Sequence, residues 1–391
     1  MNMDKLKNLD PLLQKEVDAG NLLGAGVTIG RSSGPVYTAC AGDIGPDTFC
    51  MLCSMTKPIT SIAAWILIER GLIDPWDDIS LYLPGFKNPQ VLQDGMLVPA
   101  QRGIQIQDLF NMTSGITYGM TPNLVPGMPT WQSQQINKTW KERVRSGEKL
   151  SMVDMVNEMG QIPLIFQPGD HWAYGKSADV VAAIVEAVSG MTFGEFLKKE
   201  IFDPLEMKDT GFVFPREQCE GRIAGILTAD GKEKMTGKDF YGDGLELWDT
   251  PYMENGGGGA APILGRGLYS TLEDYAKFTM MLLRGGEYKG KRILSEATVK
   301  QFSLNHLSEA QMRTLWPWMK GYGYGNLMRV MIDPAMQYTN GSAGEFGWDG
   351  ALGTYMFVDP EADLYGVYMQ QRAGGQIRRK IRNIAYSAIE D

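Results

Sequence analysis

The chain has 391 residues, 43% hydrophobic and 21% charged, enough for two lobes or for one large domain carrying an inserted region. A formal net charge of -9 with no basic stripe argues against a nucleic-acid partner, and the longest apolar run, residues 62–68, is far short of the ~20 residues that cross a bilayer. With only two histidines, imidazole acid–base chemistry has few places to sit, which raises the weight of lysine and tyrosine.

Residues 1–20 carry Asp4, Lys5, Lys7, Asp10, Lys15, Glu16 and Asp18. This is the pattern of an amphipathic helix ending at Gly20, not of a secretion signal, and a cytoplasmic protein is expected. Residues 27–29 and 36–41 are β-rich runs around Gly30-Arg31-Ser32-Ser33-Gly34-Pro35, which predicts a hairpin. The Gly-x-Ser-x-Gly inside that turn is spelled like a hydrolase nucleophile elbow, but the elbow needs a helix after the serine and here a second strand follows. Helical spacing then dominates near 54–70, 105–111, 151–159, 177–189 and 193–200. Residues 118–149 read as irregular, rich in Pro, Gly and Thr, with Trp131 and Trp140. The glycine run at 254–259 has no strand before it and no helix directly after, so it reads as a flexible loop and not as a phosphate cradle. A helix over 271–283 stops at Gly285-Gly286. Strands are expected over 322–331, 353–358 and 364–370, the last two turned by Asp359-Pro360-Glu361, with a closing helix over 376–389.

Strands near both termini with helices between them predict an α/β (α+β) fold, an antiparallel sheet flanked by helices and formed from both ends. The expected division is a discontinuous sheet domain, residues 1–60 and 260–391, and a mostly α-helical inserted domain, residues 61–259. The active site is expected at their interface.

Ser54-Met55-Thr56-Lys57 heads the helix that begins this insertion. Residues at i and i+3 share a helix face, so the Lys57 amine can reach the Ser54 hydroxyl. The helix start adds a backbone N–H and the positive dipole end, both suited to a developing oxyanion. Serine activated by lysine is an alternative to the Ser-His-Asp arrangement. Tyr174 sits in the turn Gln167-Pro168-Gly169-Asp170-His171-Trp172-Ala173-Tyr174-Gly175-Lys176, where a phenol beside two amines is expected to have a lowered pKa and to relay protons. Gly347-Trp348-Asp349-Gly350-Ala351-Leu352-Gly353 is a strand entry where backbone can approach a ligand. Cys50 and Cys53 have the C-x-x-C spacing, but zinc lacks nearby further ligands and a redox motif lacks its β-α-β setting, so small buried thiols are expected.

Together these pieces resemble the serine β-lactamase and penicillin-binding-protein superfamily, in its class C β-lactamase-like branch, closest to family VIII carboxylesterases and related acyltransferases. Tyr174 follows Ser54 by 120 residues, and the glycine-rich strand lies some 175 residues further on. The stretches 71–84, 104–116, 267–275 and 290–294 are similar to further blocks of that superfamily, so the resemblance covers nearly the whole chain.

The resemblance implies Ser54 as nucleophile, Lys57 and Tyr174 as its proton partners, an oxyanion hole from the Ser54 and Ala351 backbone, and no metal or organic cofactor. It implies substrate contacts from Trp348, Asp349, Gly350, Lys176 and Tyr118, and the region 118–149, with Tyr118, Trp131 and Trp140, is expected to shape the acyl pocket. Two departures bear on substrate. Where the β-lactamase branch has Lys-Thr-Gly this chain has Trp348-Asp349-Gly350, similar to the Trp-Gly-Gly of family VIII esterases, and Lys176 stands where that branch has Asn. A neutral Trp348 cannot pair with a carboxylate, so a small uncharged ester or amide fits better than a penicillin. A β-lactamase, a D-alanyl-D-alanine carboxypeptidase and an acyltransferase share the machinery and stay as alternatives. Lys176 and Asp349, opposite charges at two cleft positions, are expected either to face each other across it or to be solvated separately.

Overall fold

Period-two alternation sorts the strands of this chain onto two apolar layers. In the computed structural model, which describes residues 1–118, 128–146, 148–236, 267–374 and 377–390, one antiparallel sheet of seven strands forms the centre. Its strands are β1 (Gly24–Arg31), β2 (Gly34–Gly42), β3 (Tyr322–Gly325), β4 (Met328–Met331), β5 (Phe346–Asp349), β6 (Tyr355–Asp359) and β7 (Leu364–Gln370). They lie in the order β3-β4-β5-β6-β7-β1-β2, so the two ends of the chain meet inside the sheet, with Ala25 opposite Gln370. Ala25, Val27, Ile29, Phe357 and Tyr368 point to one face, under α1 (Leu9–Asp18) and the C-terminal helix Arg378–Ser387. Met356, Val358, Val367 and Met369 point to the other, into the large core that continues through the helical region.

That core is built on α2 (Thr56–Glu69), which is apolar almost all round and correspondingly buried. It packs against a second buried helix, Ser177–Ser189, whose C-terminus is closed by Gly190 in the left-handed conformation. No single helix among the described residues is long and apolar enough to cross a membrane.

Several elements differ from expectation. The first twenty residues form two helices, Met3–Leu6 and Leu9–Asp18, in place of one. The run 322–331 is a hairpin and not one strand, because Asn326 and Leu327 both take positive φ, 53° and 61°. Tertiary bonds hold that turn: the Trp65 indole donates to the Asn326 side chain at 2.8 Å, and the Leu327 N–H donates to the Phe110 carbonyl at 2.8 Å. Within 118–149, read as irregular, Pro129–Arg145 is a helix. Its inner stripe is Ser133, Ile136 and Trp140, spaced three and four apart, and Trp140 is fully buried with its indole donating to Glu158 at 2.7 Å. Trp140 is therefore core and not a wall of the acyl site. The Gly-x-Ser-x-Gly turn is the β1–β2 hairpin tip. The glycine run at 254–259 lies outside the described residues.

Candidate active site

The segment that carries Ser54 is anchored from three directions. Cys50–Met51 pairs with Tyr269–Ser270, the Gln371 side chain brackets Met51 with two bonds of 3.1 Å, and the Tyr275 hydroxyl donates to the Met55 carbonyl at 2.7 Å. The expected helix from Ser54 starts two residues later. Cys53–Met55 forms a tight 3₁₀ turn entered through Cys53 at φ 49°, and α2 proper begins at Thr56. This places Ser54 at the head of the helix, 6% exposed, with Lys57 fully buried one turn on.

Around Ser54 the side chains form a chain of short contacts. Lys57 Nζ lies 3.4 Å from Ser54 Oγ and donates to the Tyr118 hydroxyl at 2.9 Å. The Tyr174 hydroxyl donates to Ser54 Oγ at 2.6 Å, and the Trp348 indole N–H donates to the Tyr174 oxygen at 3.1 Å. The amine also sits over the Tyr174 ring, 4.7 Å from its centre. The structure thus brings Ser54, Lys57, Tyr174, Tyr118 and Trp348 together.

Electrostatics assign the protons. Burial pushes Lys57 down from 10.5 to about 7, with the nearby Asp179 charge pulling the other way. Near neutral pH much of the amine is therefore a free base whose lone pair can take the Ser54 proton. Burial pushes the Tyr174 phenol up, although its bonds to Ser54 and Trp348 oppose this. That corrects the expected lowering. A neutral Lys57 supplies no full positive charge, and Lys176 has turned away, so desolvation wins and Tyr174 keeps its proton.

The other expected contacts fall out as follows. Lys176 is fully buried, donates to Asn137 at 2.7 Å and to the Ser133 carbonyl at 3.3 Å, and lies over the Trp140 ring. Burial lowers it to about 8. Asp349 is paired instead with Arg378 and, at 3.5 Å, with Arg329. The expected neutralisation of Lys176 by Asp349 is not formed, and neither charge is simply solvated. Each has found a partner on its own side. Tyr118, expected at the acyl group, is a partner of the Lys57 amine. Trp348 is 2% exposed and holds Tyr174 in place. Cys50 and Cys53 are buried, and no group of three or more metal-ligating side chains occurs among the described residues.

Gly350 brings the end of β5 against the segment that carries Ser54. A Cβ there would lie 2.3 Å from the Leu52 carbonyl oxygen and 2.1 Å from the Thr354 hydroxyl, which itself donates to Leu52 at 3.1 Å. Gly350→Ala is expected to cost about 1–3 kcal/mol of stability and to depress kcat by pushing β5 off Ser54. Melting curves and ester turnover on one preparation check both.

This fold and this side-chain set define an enzyme-type scaffold in which a serine, a lysine and a tyrosine meet beside an antiparallel core sheet. The sequence profile of the Beta-lactamase family matches residues 9–388, and the chain belongs to that family. It is 30% identical to Protein Rv1367c of Mycobacterium tuberculosis over 336 residues, 83% of this chain and 78% of that one. It is 30% identical to the lovastatin esterase of Penicillium rubens over 397 residues, 92% of this chain and 91% of that one. Among solved structures, EstCE1, a hydrolase with promiscuous acyltransferase activity, superposes with a TM-score of 0.75 at 22% identity, covering 98% of each chain. That likeness is one of fold.

Proposed function

We propose that the protein is a serine hydrolase cleaving small uncharged carboxylic esters through a covalent acyl-serine intermediate. The observation that carries this is the position of Ser54 Oγ, 2.6 Å from the Tyr174 hydroxyl and 3.4 Å from the Lys57 amine. The esterase among the 30% identical relatives agrees with it. In the proposed reaction Ser54 Oγ attacks the ester carbonyl and its proton passes to Lys57. The oxyanion that forms is held by the backbone N–H groups of Ser54 and Ala351, each worth about 2.7–4 kcal/mol. Collapse breaks the bond to the leaving alcohol, which takes the Tyr174 proton, and Lys57 returns its own proton to the phenol. Water then attacks the acyl-serine, giving its proton to the same pair, and Ser54 is regenerated with the release of the acid.

Trp348 supports the choice of an uncharged substrate, since it places an indole and not a cation beside Tyr174. A cytoplasmic setting goes with the four cysteines, among which no disulfide is formed. A panel of short p-nitrophenyl esters run beside nitrocefin tests the reading. Ester turnover well above nitrocefin turnover is expected, and the reverse ranking would move the assignment to a β-lactamase. Product analysis with added alcohols separates hydrolysis from acyl transfer.

A further inference from the structure

Tyr174 packs against the buried rings of Trp348 and Trp172, and from it a run of indoles, Trp316 and then Trp318, leads out to solvent. The Trp316 ring centre lies 4.9 Å from that of Tyr174 and 4.9 Å from that of Trp172. Trp318 stacks on Trp316 at 5.4 Å with 28° between the planes, and it is 50% exposed. Two bonds tie the segment carrying these indoles to the turn that carries Tyr174. The Gln311 side chain donates to the Gly169 carbonyl at 2.6 Å, and the Trp172 backbone N–H donates to the Thr314 hydroxyl at 2.8 Å. The wall is therefore held in one arrangement before any ligand arrives.

A tryptophan that only filled the core would be covered. Here the stack stops at a half-open indole, an apolar plane on which one more ring can lie. Its direction has chemical meaning. Tyr174 is the group that protonates the departing oxygen, so the rings running outward from Tyr174 border the alcohol portion of the ester and not its acyl portion.

We infer that Trp316 and Trp318 form the leaving-group subsite and select esters whose alcohol portion carries a planar aromatic ring. This rests on the ester-hydrolase reading above. The site favours an arylmethyl alcohol, whose single methylene joins the ring to the departing oxygen. Trp318 is the specificity-determining residue, because it is exposed and touches none of the groups that move protons.

The test compares benzyl acetate, cyclohexylmethyl acetate and ethyl acetate on the intact chain and on Trp318→Ala and Trp318→Phe. All three substrates share one acyl-enzyme, so differences between them report only the alcohol side. The expected result is a fall of about 5- to 10-fold in kcat/KM for benzyl acetate in Trp318→Ala, carried by KM. Ethyl acetate should stay within about 2-fold, cyclohexylmethyl acetate should fall less than benzyl acetate, and Trp318→Phe should restore most of the preference. A benzyl-to-ethyl ratio that Trp318→Ala leaves unchanged overturns the subsite while leaving the ester-hydrolase reading intact. Should the intact enzyme turn over none of the three esters, both readings fall together.

Discussion

Ser54→Ala is expected to lower kcat for a p-nitrophenyl ester by on the order of 10,000-fold or more, because the acyl group then has no oxygen on which to rest. The fold should hardly notice. Ser54 is 6% exposed, and its turn is fastened by Gln371, Tyr275 and the Tyr269–Ser270 bridge, none of which uses the hydroxyl. Removing Oγ leaves the Tyr174 hydroxyl short of an acceptor, a cost of about 1 kcal/mol, partly offset by shedding a buried polar atom. The measurement pairs turnover with intact mass after brief exposure to a slow ester or a fluorophosphonate. The parent chain should gain the mass of one adduct at Ser54, and the variant none. Full esterase activity in Ser54→Ala would place the nucleophile elsewhere.

Local periodicity made part of this site readable. The three-residue step from Ser54 to Lys57 is a property of any helix, and the turn before Tyr174 is written in Pro168 and Gly169. The sheet drawn from both chain ends was readable because β1, β2, β6 and β7 are β-rich runs set off by turn residues, 30–35 in one hairpin and Asp359-Pro360-Glu361 in the other. Contacts across the fold were not. No spacing rule links residue 118 to residue 57, so the Tyr118 bond to the Lys57 amine was invisible, as was the Trp348 indole against Tyr174. Lys176 shows why charge sign alone misleads. Its place at the head of the Ser177–Ser189 helix aims a long stem into Asn137 and Ser133 of the Pro129–Arg145 helix, which polar composition had hidden. The raised pKa of Tyr174 is hidden from the sequence for a related reason: neighbouring charges can be read from it, whereas the burial that raises the phenol is a property of the folded chain.

Lys57→Met is expected to abolish turnover and at the same time to stabilise the protein, a pairing that a purely structural lysine would not give. In the folded chain Lys57 releases its proton at about 7, whereas the ordinary value is 10.5. Between those values the unfolded chain holds one more proton than the native one, so this group makes native stability rise with pH across that interval. Below about 7 both states are charged, and the full penalty of burying the ammonium is present. At about 1.4 kcal/mol per pH step the interval sets an upper limit near 5 kcal/mol. Losing the amine contacts to Tyr118 and Ser54, about 1 kcal/mol each, reduces the expected gain to roughly 2–3 kcal/mol. Urea melts of both chains from pH 6 to pH 9.5 should show the Met variant most ahead at pH 6, with the lead shrinking as pH rises. In the parent enzyme kcat/KM should climb as pH passes through about 7, as the free amine becomes available, and then stay level while the Tyr174 phenol keeps its proton. A Met variant less stable than the parent at pH 6 would mean that Lys57 is held as a paired cation, and a paired cation cannot take the Ser54 proton.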